Sequence, residues 1–131
     1  MMQDQNSVPE DLYYTGEHVW VRKEGDVWCA GITDFAQAQL GEVVYVDLPG
    51  EGERFAAGSA FGTVESVKSV NSLFMPLDGT VTEANAELDN SPSLVNADCY
   101  GRAWMIRFTA ASEEGLEGLL SAAAYQGSLN S

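Results

Sequence analysis

From residue 18 to residue 108 the chain is a string of short β-forming runs, each stopped by a turn signal before it can lengthen. His18-Val19-Trp20-Val21-Arg22 ends at Glu24-Gly25-Asp26, and Val27-Trp28-Cys29-Ala30-Gly31-Ile32 follows, which predicts a hairpin. Val43-Val44-Tyr45-Val46-Asp47-Leu48 stops at Pro49-Gly50-Glu51-Gly52-Glu53. Residues 60–66 and 70–74 face each other across Val67-Lys68-Ser69. Leu73, Met75 and Leu77 alternate, which predicts one buried face. Asp78-Gly79 reads as a turn leading into Thr80-Val81-Thr82-Glu83-Ala84, and residues 103–108 form a last strand. Many short strands separated by turns predict a mainly β fold, a small sandwich or barrel with accessory helices.

The helices are short. Thr33-Asp34 offers an N-cap for residues 35–40, and Gly41 offers the C-cap. Residues 88–96, with Pro92, read as a loop or one helical turn. Ser112 predicts the cap of a C-terminal helix, with Glu113 and Glu114 at its positive end and Leu116, Leu119, Leu120 and Ala123 on its packed face. Residues 1–11 read as a flexible lead-in, and residues 12–131 as a single domain.

Composition narrows the partners. Twenty acidic against six basic residues give a net charge of -14, which disfavours nucleic acid and anionic membranes and suits basic patches on partner proteins. No stretch reaches membrane-spanning length. Met1-Met2-Gln3-Asp4-Gln5-Asn6 has neither an apolar run nor Arg-rich character, so the expected setting is cytoplasmic and bacterial-type. Cys29 and Cys99 lack a C-x-x-C neighbour and are expected to be free thiols in a reducing compartment.

Lys23 and Lys68 are the only lysines, and Lys68 is the only basic residue between Arg54 and Arg102. At a hairpin tip its amine would project into solvent, flanked by small residues that let a modifying enzyme approach. Acylation would remove the charge and turn the side chain into a flexible tether. Taken on the hairpin alone, an ordinary exposed turn lysine explains it as well. His18 is the sole histidine, and no Cys, His or Asp cluster surrounds it, so no metal site is expected and a structural or cleft-lining role is. Ser66 and Ser69 have no partner base, so neither is a nucleophile candidate and no catalytic residue is expected.

Glu65-Ser66-Val67-Lys68-Ser69, followed by Pro76-Leu77-Asp78-Gly79-Thr80-Val81, resembles the lipoyl-attachment segment of glycine cleavage system H proteins. Tyr14-Thr15-Gly16-Glu17-His18-Val19-Trp20-Val21 resembles that family's opening block. Gly31-Ile32-Thr33-Asp34-Phe35-Ala36-Gln37 and Leu40-Gly41-Glu42-Val43-Val44-Tyr45-Val46-Asp47-Leu48-Pro49 resemble its next, and Leu94-Val95-Asn96, Tyr100-Gly101 and Trp104-Met105-Ile106 its last. The resemblance spans roughly residues 13–125. It implies a barrel-sandwich hybrid of two antiparallel sheets, of the lipoyl or biotinyl type, with a C-terminal helix. It implies lipoate amide-linked to Lys68, and a carrier rather than an enzyme. The implied partners are a pyridoxal-phosphate glycine decarboxylase, an aminomethyltransferase, a dihydrolipoyl dehydrogenase and a lipoate-attaching enzyme. Between them the arm would carry an aminomethyl group and electrons, and a monomer would serve several such enzymes. Glu65 is implied as the residue by which the attaching enzyme recognises the site.

Two positions depart from the family pattern. Val19 stands where an acid usually follows the histidine, and Ser72 where an acid usually lies four residues after the lysine. His18, Glu17 and Ser72 are the residues expected to line a cleft for the arm, with Glu17 compensating in part for the lost acids. Without those acids the cleft should hold a cationic aminomethyl group less firmly. The departures also suit an alternative, an H-like relay protein that donates lipoate to acyltransferase domains of oxoacid dehydrogenases.

Overall fold

The structure is a computed structural model describing residues 8–111 and 118–129. Two antiparallel sheets enclose the main core. The larger has six strands in the order β1 (Tyr13–Tyr14), β2 (Val19–Glu24), β3 (Val27–Ile32), β9 (Ile106–Ala110), β8 (Gly79–Ala84) and β5 (Arg54–Phe55). The smaller has the order β4 (Val43–Asp47), β6 (Ala60–Ser66) and β7 (Val70–Phe74). This is the mainly β, two-sheet architecture expected above. The β2–β3 hairpin pairs Val19 with Ile32 and Glu24 with Val27 around Gly25, whose φ of 67° fits a tight turn.

Side-chain alternation gives β2 two buried faces. Val19 and Val21 point into the main core, where Val43, Val46, Val64 and Leu73 of the smaller sheet meet Ala30, Val81, Ile106 and Phe108 of the larger. Trp20 points the other way, into a second core with Leu12, Tyr14, Cys29, Ala122 and Tyr125. Its indole Nε1 donates to the Cys99 carbonyl at 2.9 Å, so the buried ring leaves no polar atom unpaired. Gly31 lies under that ring: a Cβ there would stand 2.9 Å from three of its atoms. Of the expected lead-in, Val8 packs against this second core.

Leu73, Met75 and Leu77 are buried, as their alternation predicts. The turn expected at Asp78-Gly79 does not close a hairpin. β7 belongs to the smaller sheet and β8 to the larger, and residues 75–78 cross between them. Burial of Met75 and Leu77 on the way draws the chain through the core rather than back along β7.

The helices are α1 (Asp34–Leu40), α2 (Glu87–Asn90), α3 (Leu94–Ala97) and α4 (Ala122–Leu129). Thr33 caps α1 as expected, accepting the Ala36 amide on its hydroxyl, and Gly41 ends it at φ 76°. The expected start of the C-terminal helix at Ser112, with Glu113, Glu114 and Leu116, lies outside the described residues. Its later part is corrected: Leu119 and Leu120 are not helical. Leu120 and Tyr14 exchange backbone hydrogen bonds of 2.8 and 2.6 Å, which hold Leu120 out of a helix, and α4 begins beyond it at Ala122. Ser121 then accepts the Ala124 amide, Ala122 and Tyr125 are buried, and Ala123 faces solvent. No helix among the described residues is long and apolar enough to cross a membrane.

Candidate functional site

The β6–β7 hairpin carries Lys68 on a three-residue connection whose conformation is set from within. Ser66 is buried, and its Oγ accepts the backbone N–H groups of Lys68 at 3.1 Å and Ser69 at 3.2 Å. Its own amide donates to the Ser69 carbonyl at 2.8 Å. This is the serine turn by which a short hydroxyl side chain replaces backbone partners. The Val67 amide donates to the Glu42 carbonyl at 3.0 Å, tying the tip to the segment before β4. Asn96 of α3 braces that segment. Its Nδ2 donates to the Gly41 carbonyl at 2.7 Å and to Gln37 Oε1 at 3.0 Å, and its Oδ1 accepts the Val43 amide at 2.9 Å.

Lys68 itself is exposed, and its side chain leaves the tip across Gly41. A Cβ at Gly41 would stand 3.2 Å from Lys68 Cε and 3.7 Å from Nζ, so glycine serves both the left-handed backbone and the passage of the lysine. The amine thereby lies at the carbonyl end of α1, where a cation is favoured. On the outer face of the smaller sheet Glu65 is in register with Tyr45 on one side and Val70 on the other. Glu65 is exposed there, beside Tyr45 at 53%, Val70 at 63% and, on the tip, Val67 at 65% exposure.

Beside the tip a cleft of about 560 Å³ runs between the β7 edge, α1 and the start of β2. Ser69, Val70 and Ser72 line one wall, Phe35 and Gln39 the other, and Glu17, His18 and Val19 close one end. The three residues expected to line a cleft are thus brought together. Glu17 supplies the only carboxylate among the described lining residues. Val19 also belongs to the main core and is 1% exposed, so the end of the cleft is apolar at that point.

His18 is the only non-glycine residue with positive φ among those described, at 67°. The left-handed turn lets its backbone N–H donate to the Thr15 carbonyl and its carbonyl accept the Thr33 amide, while the ring packs on Phe35 at 4.8 Å between centroids. Nδ1 lies 2.8 Å from the Tyr125 hydroxyl of α4, and that hydroxyl lies 2.7 Å from Thr33 Oγ1. Burial lowers the His18 pKa from its ordinary 6.5, against a smaller opposing pull from Glu17. At neutral pH the ring is therefore uncharged. No group of three or more His, Cys, Asp or Glu residues fit to hold a metal occurs among the described residues. Cys29 and Cys99 are unpaired and buried, and burial raises the thiol pKa to about 11 for Cys29.

Several contributors escape a reading of the chain as a string. Tyr125 and Asn96 reach the site from more than fifty residues away, and no local pattern announces them. Ser66 had a signal, a hydroxyl two and three residues before amides that need partners, but reads there as merely small. It is buried and structural instead.

The fold and the site define a class: a two-sheet β domain that presents one lysine on a locked turn beside a cleft. The family model for the glycine cleavage H-protein matches residues 12–131. The chain is 48% identical over 122 residues to the glycine cleavage system H protein of Bacteroides fragilis, covering 93% of this chain and 97% of that one. It is 50% identical over 129 residues to that of Mycobacterium avium, covering 95% and 98%. The crystal structure of a glycine cleavage system H protein from Mycobacterium marinum superposes with a TM-score of 0.87 at 33% identity, over 95% of this chain and all of the other. The chain belongs to the glycine cleavage H-protein family.

Proposed function

We propose that this protein is the lipoyl carrier of a glycine cleavage system, with lipoate amide-linked to Nζ of Lys68. The observation that carries the proposal is the pairing of an exposed lysine on a Ser66-locked turn with a contiguous cleft large enough for an acyl arm. When attached, the dithiolane supplies the reversible thiol chemistry that takes up an aminomethyl group and passes on electrons. The chain's residues do the rest. Ser66 and Asn96 hold the tip rigid for an attaching enzyme. Glu65, exposed between Tyr45 and Val70, is its recognition handle. Glu17, His18 and Ser72 line the resting place of the arm. None of them breaks or makes a substrate bond, so the protein is a carrier, and the reactions belong to its partners. Those partners are a pyridoxal-phosphate glycine decarboxylase, an aminomethyltransferase and a dihydrolipoyl dehydrogenase, met by a monomer in the bacterial cytoplasm. The two unpaired cysteines suit such a reducing setting.

The test is intact mass after incubation with a lipoate-attaching enzyme, lipoate and ATP. One lipoyl adduct is expected, absent in Lys68→Arg; an adduct that persists in the variant, or none in the native chain, refutes the assignment.

The cleft itself supports a second reading. With Val19 and Ser72 neutral, Glu17 is the sole acid among the described lining residues, which suits a relay that donates lipoate to acyltransferase domains. Reconstituted glycine decarboxylation with the lipoylated protein separates the two. Turnover supports the glycine carrier; transfer of lipoate to an acyltransferase domain without turnover supports the relay.

A further inference from the structure

The hydroxyls behind the cleft have only one arrangement that satisfies them all. Thr33 and Tyr125 are both fully buried, with 0% exposure, so neither hydroxyl hydrogen can be given to solvent. Thr33 Oγ1 already accepts the Ala36 amide at 3.2 Å, and its remaining neighbour is the Tyr125 oxygen at 2.7 Å. The Tyr125 oxygen has two polar neighbours, Thr33 Oγ1 and His18 Nδ1. If His18 carried a proton on Nδ1 and donated it to Tyr125, one hydroxyl hydrogen would be orphaned. Either Tyr125 would donate to Thr33 and leave the threonine hydrogen unused, or Thr33 would donate to Tyr125 and leave the tyrosine hydrogen unused. A buried unsatisfied donor is costly and rare. The remaining arrangement runs one way: Ala36 N–H to Thr33 Oγ1, Thr33 O–H to Tyr125 Oη, and Tyr125 O–H to His18 Nδ1.

We infer that this relay holds His18 as the neutral Nε2–H tautomer, and that Nε2–H is the hydrogen-bond donor the cleft offers to an acceptor atom of an arm carried on Lys68. A neutral imidazole carries its proton on one nitrogen, so a lone pair fixed at Nδ1 puts the hydrogen on Nε2. Nε2 has no protein partner among the described residues, while the ring lines the cleft. The partner fitted to it is a lone-pair acceptor, the arm's amide oxygen or a sulfur, and not a cation. Protonating the ring would force Nδ1–H against the Tyr125 donor and orphan one hydroxyl, which adds to burial in keeping the ring neutral. Glu17 opposes this from the cleft mouth, and α1 contributes no titratable group to the lining. Tyr125 is a positioning residue: it acts through His18, and it makes α4 part of the site.

The tautomer rests on the chain's own geometry, whereas the occupant rests on the proposed lipoylation of Lys68, so the two are tested separately. His18 is the only histidine, and ¹⁵N-histidine labelling yields one imidazole. Spectra of the unacylated protein near neutral pH are expected to show an unprotonated Nδ1 and a protonated Nε2. A protonated Nδ1, or averaging between the two, overturns the relay. Tyr125→Phe should produce averaging; an unchanged pattern overturns the positioning role. The Nε2 proton is then followed in protein acylated at Lys68 with octanoate or with lipoate, each verified by mass. A shift with both identifies the amide oxygen as acceptor, and a shift with lipoate alone identifies a sulfur. No shift with either overturns the donor role while leaving the lipoyl assignment standing.

Discussion

The Oγ of Ser66 accepts the backbone amide of Lys68 at 3.1 Å, so a buried hydroxyl of β6 sets the shape of the turn that exposes the lysine. Ser66→Ala would leave the Lys68 and Ser69 amides without that acceptor. The tip is exposed, and water can replace part of what is lost, so the expected global destabilisation is only about 1 kcal/mol in denaturant unfolding. The larger expected effect is a several-fold slower enzymatic acylation of Lys68, followed by mass. Acylation at the native rate would show that the turn needs no internal lock.

Gly41→Ala tests the passage of the lysine over α1. A non-glycine residue at φ 76° costs about 1–2 kcal/mol, and the new methyl would crowd Lys68 Cε at 3.2 Å. Lowered thermal stability with slower acylation is expected. Equal loss of stability in Gly25→Ala without slower acylation would confirm that the second effect is local, since nothing lies within 4 Å of a Cβ at Gly25.

Ser72 and Val19 differ in what a carboxylate would do there. Ser72 is exposed on β7 and lines the cleft, so Ser72→Asp adds an acid at little cost in stability, within about 0.5 kcal/mol. It should lengthen the lifetime of the aminomethyl-loaded protein, measured by release of formaldehyde. Val19→Glu places an acid at a 1% exposed core position and should cost several kcal/mol unless the carboxylate reaches the cleft. An unchanged lifetime in Ser72→Asp would refute the link between cleft acids and retention.

Because burial holds the His18 pKa below its ordinary 6.5, the unfolded chain takes up a proton first as pH falls. The contribution of the neutral ring is complete above about pH 6.5 and is lost as pH falls through the folded value. Between about pH 7 and pH 5, above most carboxylate titrations, the melting temperature of the native chain should fall more steeply than that of His18→Asn. Asparagine tolerates the left-handed backbone at this position, so the variant isolates the ring. Parallel melting curves would show that His18 does not couple protonation to folding.

Much of the site was legible along the chain because its signals are local. The cap at Thr33, the stop at Gly41 and the lone amine of Lys68 in an acidic stretch all act within one turn or one hairpin. Glu17, His18, Val19 and Ser72 could be named as residues of one cleft only through the resemblance, since nothing in their spacing joins residue 17 to residue 72. The apolar spacing of Leu119, Leu120 and Ala123 fits one helical face, yet Leu119 and Leu120 are not helical. A backbone bridge from Leu120 to Tyr14, invisible to periodicity, holds Leu120 out of a helix, and α4 begins at Ala122.

Local preference and alternation were enough to specify short antiparallel strands, the first helix and an exposed lysine at a hairpin tip, because these depend on neighbours a few residues apart. Tertiary structure alone decided that the run after β7 crosses to the other sheet, that Asn96 braces the attachment turn, and that Tyr125 stands behind His18. The crossing follows burial of Met75 and Leu77, whereas the other two join groups far apart in sequence whose polar atoms must find partners once the core closes. That requirement, rather than any local pattern, brings a residue of the last helix behind the wall of the cleft.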